Sequence, residues 1–429
     1  MSDTQQGWRT TSGGGGGGSS TITIQNTLYV MSNGDDATAL PNRLDKPFLT
    51  IYGATQQAVT GDVIYVFAGL YNEGSNDVFG DGVSYVLESG VIVECEDSVI
   101  TDNGSAKALN IIGEGILQNT NGDSPLINIT ADSTLNLVCE QLLSQGEAIL
   151  CSGKFDINVK TITSNESTKG DHSITFKDNN STFTYGIINV DSLNSKSNLS
   201  SIYLNECNTD LSERNIFINI NQIVSSLISN DYTFDFDTNN ETKIYLQVQN
   251  CEEFGNSSLI RVLSTNLFIN NCNFYNTNDV SARGIRLLNN AVLLMTNSNI
   301  IASSVVLLSV SNSCLQVNNC ILKSTNDRTI FCRSTSEMSI YDSTIISGNG
   351  ASETISVIST SFLRLKNCTI IANDVLTKYS INAFSNPTNI YIYGQCSANK
   401  PTNAFILNQV AGTNIVVDSD IVENTDNFI

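Results

Sequence analysis

Basic residues, histidine and charged residues in general are scarce in this sequence. Lys and Arg number 21 against 42 Asp and Glu, which gives a net charge of -21, and His172 is the only histidine. That charge opposes nonspecific attachment to polyanions, so we expect neither nucleic acid nor a membrane as a partner. Charged residues make up 15% of the chain, which is low for a soluble protein. The polar surface must therefore consist mostly of Asn, Ser and Thr.

Long apolar runs and closely spaced cysteines are also missing. No run approaches the eighteen or so apolar residues of a membrane-spanning helix, and residues 1–20 lack the basic and apolar regions of a secretion signal. Eleven cysteines occur without a CxxC or CxxH spacing, which argues against zinc or a redox dithiol. We predict reduced, buried thiols, assembly in the cytosol, no secretion signal, and neither a cofactor nor a metal.

The N-terminal segment, residues 1–26, is predicted to be a flexible tether because it contains the glycine-rich run from Ser12 to Ser20. Trp8, the only tryptophan, and Arg9 precede this run. Two interpretations stay open: an accident of sequence, or a docking peptide in which Trp8 is the buried anchor. The second makes Trp8 and Arg9 anchoring residues. The glycine run is no phosphate loop, because no strand precedes it and no Lys-Ser/Thr follows it.

A characteristic order of short segments follows the tether. It comprises Leu28-Tyr29-Val30, Ser32-Asn33-Gly34-Asp35-Asp36, Lys46-Pro47-Phe48-Leu49-Thr50-Ile51, a short helical stretch around Ala54 to Val59, and Gly61-Asp62-Val63-Ile64-Tyr65-Val66 ending at Gly69-Leu70-Tyr71. From about Leu28 to Glu73 this order resembles the opening of pectin-lyase-like proteins and of β-helical phage tailspikes. The resemblance implies an N-terminal cap over residues 27–83, whose helix covers the first coil of a solenoid.

A repeat dominates the C-terminal half of the chain. Asn or Asp followed by Cys or Ser recurs at intervals of 21 to 28 residues, with Gln replacing Asn once: Asn250-Cys251, Asn271-Cys272, Asn297-Ser298, Asn319-Cys320, Asp342-Ser343, Asn367-Cys368, Gln395-Cys396 and Asp418-Ser419. Apolar residues stand two and four positions before most of these pairs, which is the period of a half-buried strand. After each pair, the alternation of apolar residues resumes with a shift of one residue. We therefore predict that the strand bends at the pair.

Asn and Asp tolerate a positive φ better than other non-glycine residues, and a one-residue corner requires that conformation. Stacked coils would place these amides in a hydrogen-bonded ladder, and the adjacent cysteines are predicted to be packing residues. The fold class predicted is all-β, a single-stranded right-handed parallel β-helix with a small N-terminal cap and a flexible N-terminal tail. At about 24 residues per coil, residues 84–429 would form roughly 14 coils.

Carboxylates and arginines on outward positions are the candidate functional residues. Asp235 and Asp237 alternate with Phe234 and Phe236, which places two carboxylates ~7 Å apart, within the range of an inverting glycosidase pair. Glu94 and Glu96 repeat the arrangement. We interpret both pairs as a solvated face, because outward strand positions in an acidic protein are commonly carboxylates. The candidate lyase bases or anion contacts are Arg261, Arg283, Arg286, Arg333 and Arg364. No catalytic residue is assigned, and His172 is predicted to lie on a surface loop, since its neighbours Asp171 and Ser173 cannot converge on it.

The predicted function is that of a virion structural protein, a fibre, spike or decoration protein, anchored by its tail to other virion or capsid proteins and binding host surface polysaccharide. By resemblance to tailspikes the body is expected to be a homotrimer. The alternatives are a polysaccharide lyase or glycoside hydrolase, and a cellular surface adhesin. Fold alone does not decide among them.

Overall fold

The computed structural model describes residues 25–165, 172–178, 185–196, 199–206, 214–225, 232–238, 242–254, 258–277, 281–372, 379–383, 388–398, 405–409 and 414–417. These residues form a right-handed parallel β-helix. Within the described residues its strands make a 25-stranded sheet and a 13-stranded sheet, which we call the large sheet and the small sheet. In that same part of the chain, no helix is long and apolar enough to cross a membrane.

The single helix of the described residues is α1 (Ile51–Gln57). The first strands are β1 (Thr27–Val30), β2 (Val63–Val66), β3 (Gly69–Gly74), β4 (Ser84–Leu87), β5 (Val91–Cys95), β6 (Ile100–Thr101), β7 (Ala108–Gly113), β8 (Ile116–Asn119), β9 (Ile127–Ile129), β10 (Thr134–Ser144), β11 (Ile149–Cys151), β12 (Lys154–Ser164) and β13 (Ile174–Asp178). The next are β14 (Tyr185–Ser195), β15 (Ile202–Glu206), β16 (Arg214–Ser225), β17 (Tyr232–Asp237), β18 (Thr242–Glu253), β19 (Ser258–Leu263), β20 (Asn266–Asn270), β21 (Asn273–Asn276), β22 (Ile285–Leu288), β23 (Val292–Thr296), β24 (Asn299–Ala302), β25 (Leu307–Ser309) and β26 (Cys314–Asn318). The last are β27 (Ile321–Ser324), β28 (Ile330–Cys332), β29 (Glu337–Tyr341), β30 (Thr344–Ile346), β31 (Glu353–Val357), β32 (Phe362–Lys366), β33 (Thr369–Ile371), β34 (Tyr379–Ala383), β35 (Asn389–Tyr393), β36 (Ser397–Ala398), β37 (Phe405–Gln409) and β38 (Asn414–Val417).

From β20 to β37 each coil contributes three strands, as β26, β27 and β28 show. The first two belong to the large sheet and the third to the small sheet, and each pairs in parallel with its counterpart one coil later. Inward side chains stack in columns, for example Leu315 on Met338 and then on Leu363. All three are buried, so the core is a narrow column of apolar side chains that runs along the coils.

The corner of the large sheet lies at the predicted Asn and Asp positions. The φ angles are positive at Asn271 (54°), Asn297 (50°), Asn319 (52°), Asp342 (49°) and Asn367 (53°). These are left-handed backbone conformations, which Asn and Asp accept at lower cost than other L-residues with a Cβ. The corner residues also form part of the expected ladder, since the Asn319 amide donates to Asn297 Oδ1 at 2.8 Å and the Asn367 amide to Asp342 Oδ1 at 2.8 Å.

The predicted corner is wrong at two of the pairs. Asn250 lies inside the continuous strand β18 without a positive φ, although burial still slips by one residue between Gln249 and Asn250. At Gln395 the left-handed residue is its neighbour Gly394, with a φ of 70°, because glycine adopts that conformation without strain. Asp418-Ser419 lies outside the described residues.

The cysteines and serines beside the corner have a hydrogen-bonding role that the sequence pattern did not reveal. Cys320 Sγ accepts the Ser298 N–H at 3.4 Å and donates to the Asn318 carbonyl at 3.1 Å. One coil later, Ser343 Oγ accepts the Cys320 N–H at 3.0 Å and donates to the Tyr341 carbonyl at 2.6 Å. A small side chain with one donor and one acceptor therefore pairs backbone groups at the bend, where strand pairing is interrupted.

Burial of the cysteines is confirmed in the described residues except at Cys314, which is exposed. Cys314 begins β26 at an outward position, so the strand's alternation takes it out of the core. Burial raises the pKa of Cys272 and of Cys332 to about 12. These thiols therefore stay protonated at neutral pH and serve as packing groups.

The N-terminal cap is present, and its helix begins earlier than predicted, at Ile51 instead of near Ala54. Thr50 sets this boundary, because its hydroxyl accepts the Gly53 N–H at 2.9 Å. The Glu73 carboxylate accepts the N–H groups of Ile51 at 2.7 Å and Tyr52 at 3.1 Å. A carboxylate at a helix N-terminus satisfies N–H groups that the helix leaves unpaired.

Hydrogen bonds and close packing within the cap account for several residues of the segment from Leu28 to Glu73. Asp36 accepts the Thr50 N–H at 3.0 Å and the Thr50 hydroxyl at 2.6 Å, which links the turn after β1 to the helix. A Cβ on Gly34 would lie 2.2 Å from the Phe48 carbonyl oxygen, so a side chain cannot fit there. Asp62 accepts the N–H groups of Asn26 and Val59 at 2.9 Å and 3.0 Å, and this fixes the start of β2.

Asp102 fastens a turn between two early coils. Its buried carboxylate accepts the N–H groups of Gly104, Thr130 and Ala131 and the hydroxyl of Ser133, all within 3.0 Å. Burial by itself raises the pKa of this carboxyl, yet the hydrogen bonds lower it below its usual range. The ionised form of Asp102 is thus the form that stabilises the fold.

Candidate functional site

The outward face of the small sheet carries an unusual set of side chains across the coils of β15 to β31. Outward side chains of successive strands stack in columns, because the strands pair in register. We call this surface the arginine face and define it by Tyr203, Tyr232, Asp235, Arg261, Arg283, Arg286, Val305, Leu308, Val310, Arg328, Phe331, Arg333 and Glu353.

Asp235 and Arg261 form the most completely paired site on this face. Arg261 Nε donates to Asp235 Oδ1 at 2.7 Å and Arg261 Nη2 to Asp235 Oδ2 at 2.6 Å, while the guanidinium lies over the Tyr232 ring at 5.2 Å. Only 2% of Asp235 is exposed. The solvated carboxylate expected here is therefore wrong, because the long arginine side chain covers it and occupies both of its oxygens.

Asp237, two residues further on, has a different environment. It is half-buried, and its pKa is raised, chiefly by burial, against a lowering influence from the Arg261 charge. The two carboxyls of the predicted pair are thus unequal. Asp235 is held as a carboxylate by Arg261, whereas Asp237 has no hydrogen bond to Arg261 among the described contacts.

A second ion pair lies further along the same face. Arg328 Nη1 contacts Glu353 Oε1 at 2.7 Å, and Glu353 is fully buried. The guanidinium carbons of Arg328 and Arg333 lie 5.0 Å and 5.5 Å from the centre of the Phe331 ring. Two arginines thus contact one aromatic ring, an arrangement in which the ring quadrupole attracts each cation.

Three arginines of the face have no carboxylate partner within the described residues: Arg283, Arg286 and Arg333. Arg286 Nη1 donates to the Tyr232 hydroxyl at 3.2 Å. The Nε atoms of Arg286 and Arg333 are buried and have no hydrogen-bond partner in the described part of the chain. Buried donors of this kind are uncommon in native proteins.

An apolar strip separates these arginines. In the coil of β25, the three outward positions are Val305, Leu308 and Val310, which form a cluster apart from the main core with Leu288 and Phe331 packed against it. The exposed fractions of Val305, Leu308 and Val310 are 6%, 5% and 8%. Arginine-bearing coils lie on both sides, with Arg283 and Arg286 before the strip and Arg328 and Arg333 after it.

The remaining candidates from the sequence lie elsewhere. Glu94 accepts the amides of Asn72 at 3.1 Å and Gln118 at 2.6 Å, so it joins a polar ladder between coils. Glu96 is exposed and accepts the Ser75 hydroxyl at 3.1 Å. Neither belongs to the arginine face.

Arg364 lies on the large sheet and is paired with Glu337. It contacts the rings of Phe362 and Tyr391, with its guanidinium carbon 5.9 Å from each ring centre. The hydrogen bond to Glu337 raises the pKa of Arg364, so this side chain stays charged and cannot act as a base.

His172 is half-buried beside the arginine face, and its ring stacks on Tyr203 with centroids 4.1 Å apart. Its Nδ1 accepts the Ser200 N–H at 3.0 Å, which makes it a packing residue of its loop. The predicted anchoring residues Trp8 and Arg9 lie outside the described residues.

No family model, curated protein or solved structure matches this chain.

Sequence reasoning missed the arginine face as a unit. Arg328, Tyr232 and the apolar strip were not singled out, and the arginines were treated as isolated surface residues. A signal existed in the run from Val305 to Leu308, whose four consecutive apolar residues break the alternation of a strand with one wet face. The arginines can be grouped only when the register between coils is known. The coils differ in length, so this register cannot be read from the sequence.

Proposed function

We propose that this protein is a structural component of a virus particle, a fibre, spike or decoration protein, which binds host surface glycan through its β-helix. Its N-terminal tail, with Trp8 and Arg9, would attach it to other virion or capsid proteins, and a homotrimer is the assembly that the tailspike-like cap suggests. The comparison with pectin-lyase-like proteins and tailspikes rests on the order of segments from Leu28 to Glu73, and in this cap Asp36, Thr50 and Asp62 hold those segments together.

The observation that carries the binding function is the arginine face. It combines half-buried aromatic rings and guanidinium groups on a rigid sheet, which are features that orient sugar rings and their polar substituents. Asp235, the best-placed carboxylate for hydrolysis, has both oxygens occupied by Arg261. This favours binding over cleavage.

Mass spectrometry of purified particles tests the virion assignment, since the chain should be present in stoichiometric amounts and should be lost when residues 1–20 are deleted. The deleted protein should still fold, as judged by circular dichroism. A Trp8→Ala variant should reproduce the loss if that side chain anchors the tail. Absence of the wild-type chain from particles would refute the assignment, and undiminished incorporation of the deleted chain would refute the anchor.

A second candidate function is hydrolysis of the same polysaccharide. The observation in its favour is Asp237, whose pKa is raised chiefly by burial and which lies two residues from the ionised Asp235, because an inverting glycosidase needs one protonated and one ionised carboxyl. Incubation with host polysaccharide followed by chromatography decides between the candidates. Release of oligosaccharides that stops in Asp237→Asn would establish the enzyme; no release supports the binding protein.

A further inference from the structure

We propose that Cys368 and Cys396 are an oxidation site, at which hydrogen peroxide forms a disulfide bond between two consecutive coils near the C-terminal end of the described β-helix. Both cysteines are free thiols in this structure. The bond would tie together two coils that strand pairing and packing alone hold in the reduced protein. This inference is independent of the function proposed above.

The order of residues at the corner is the first argument. From coil to coil, the position after each corner residue alternates between cysteine and serine: Cys272, Ser298, Cys320, Ser343 and Cys368. The next corner breaks this alternation, because Cys396 stands where a serine would follow. Each earlier corner cysteine of this series thus has serine as its neighbour in the next coil, whereas Cys368 has a second thiol.

The register between the two coils is the second argument. Thr369 pairs with Ser397 in the strands that follow the corners, and the Ser397 N–H donates to the Cys368 carbonyl at 2.9 Å. The Cys368 N–H donates to Cys396 Sγ at 3.4 Å. Paired strands lie about 4.8 Å apart, and the Cα atoms of disulfide-bonded cysteines lie roughly 4.4–6.8 Å apart. The two sulfurs can therefore bond once the Cys368 side chain rotates toward Cys396.

The environment of the two thiols is the third argument. A hydrogen bond between them lowers the pKa of Cys396, and the same bond and burial raise the pKa of Cys368. Cys396 is therefore the thiol that ionises first and acts as the nucleophile. Cys396 is 4% exposed and Cys368 is fully buried, so the small molecule hydrogen peroxide suits this site better than a bulky disulfide.

The reaction has two steps. The Cys396 thiolate attacks one oxygen of hydrogen peroxide, the O–O bond breaks, and the hydroxide that leaves takes up a proton to form water. The product is a sulfenic acid on Cys396. Cys368 then loses its proton and attacks the Cys396 sulfur, so that the S–S bond forms and the S–O bond breaks with release of a second water. Two thiols and one peroxide thus yield one disulfide and two waters.

Peptide mapping of the full-length chain after peroxide treatment tests the proposal. The parent protein is Cys314→Ser, because Cys314 is exposed and could link two chains. After remaining thiols are blocked with iodoacetamide, trypsin cleaves behind Lys366 and Lys378 and so separates Cys368 from Cys396. The expected product is this pair of peptides joined by a disulfide, lighter by two hydrogen atoms than the two reduced peptides together. Dithiothreitol should separate them.

Two variants serve as controls for the mapping. Cys396→Ser restores the alternation at the corner and should abolish the joined peptides, while Cys320→Ser removes a corner cysteine that lies between serines and should leave them unchanged. The oxidised parent should melt at a higher temperature than its reduced form, because the bond restricts the unfolded chain, and peroxide should not raise the melting temperature of Cys396→Ser.

Oxidation of Cys314 in the wild-type chain shows that the peroxide was active. If Cys368 and Cys396 of the parent stay reduced under the same treatment, the proposal is overturned. Oxidation of Cys396 to a sulfinic acid beside a free Cys368 would overturn it as well, because the second thiol would then have failed to react.

Discussion

Asn319 occupies a corner of the large sheet, and replacing it with alanine is expected to destabilise the protein by about 2 kcal/mol. Its φ is 52°, a conformation that costs an ordinary L-residue ~1–2 kcal/mol and costs Asn less. Its amide also donates to Asn297 Oδ1 at 2.8 Å, an exposed hydrogen bond worth ~0.5–1 kcal/mol. Urea unfolding followed by far-ultraviolet circular dichroism gives the free energy of unfolding by linear extrapolation.

Two variants separate the contributions at this corner. Asn319→Gly loses the amide hydrogen bond but accepts a positive φ freely, so its stability should lie between those of wild type and Asn319→Ala. Asn318→Ala removes the same side chain one residue earlier, where φ is not positive, and should cost less than about 0.5 kcal/mol. Equal destabilisation by Asn318→Ala and Asn319→Ala would refute the account of the corner.

Three further outcomes follow from the coils. Because the pKa of Asp102 is lowered in the folded protein, its ionised carboxylate stabilises the fold above the unfolded pKa near 3.9, and this stabilisation is lost as the pH falls through the folded pKa. Asp102→Asn should therefore lower the stability at pH 7 and reduce the fall in melting temperature with decreasing pH. An unchanged fall in melting temperature would contradict this prediction. Thr335 has a φ of 63°, so Thr335→Gly should raise the free energy of unfolding by about 1 kcal/mol by relieving strain, and a loss of stability would oppose that reasoning. Cys320→Ala leaves the Ser298 N–H unpaired and should lower the free energy of unfolding by about 2 kcal/mol. Cys320→Ser keeps an acceptor and should lower it less. A larger loss in Cys320→Ser than in Cys320→Ala, measured by urea unfolding, would exclude the hydrogen-bonding role.

Much of the architecture could be predicted from the sequence, because two local signals coincide in it. The period-two pattern before each pair identified the strands, and the slip of phase at Asn319 and its counterparts identified the corner. The failures at Asn250 and Gln395 have a physical cause. A phase slip can occur inside a continuous strand without a left-handed residue, as in β18, or beside a left-handed glycine, as at Gly394, and the side-chain pattern is the same in each case.

The cap could be predicted from its order of segments, but the reason for that order could not. Glu73 accepts a hydrogen bond from the first turn of α1, more than twenty residues away in sequence. No local sequence pattern predicts such a hydrogen bond. A second set of left-handed turns also escaped prediction, since Asn289, Asn290, Ser334 and Thr335 all have positive φ angles. Serine and threonine are poor indicators of that conformation, so stacking between coils must impose it there.

The arginine face was the least accessible feature, since its columns depend on which residues become neighbours after coils of unequal length are stacked. Asp235 and Arg261 are 26 residues apart in sequence, and Arg328 and Glu353 lie in successive coils of a different length. If every coil had the same number of residues, the positions that face each other in successive coils could be found by counting along the sequence. Loops of variable length between the strands remove that regularity, so the pairing emerges only from the three-dimensional register.

A crystal structure of the protein with an oligosaccharide from the host surface polysaccharide tests most directly the claim that the arginine face is the binding surface. The account predicts sugar density on the arginine face, against the half-buried rings of Tyr232 and Phe331 and the guanidinium groups that contact them. Density confined to the large sheet, or an arginine face left empty while the sugar binds at the cap, would contradict it.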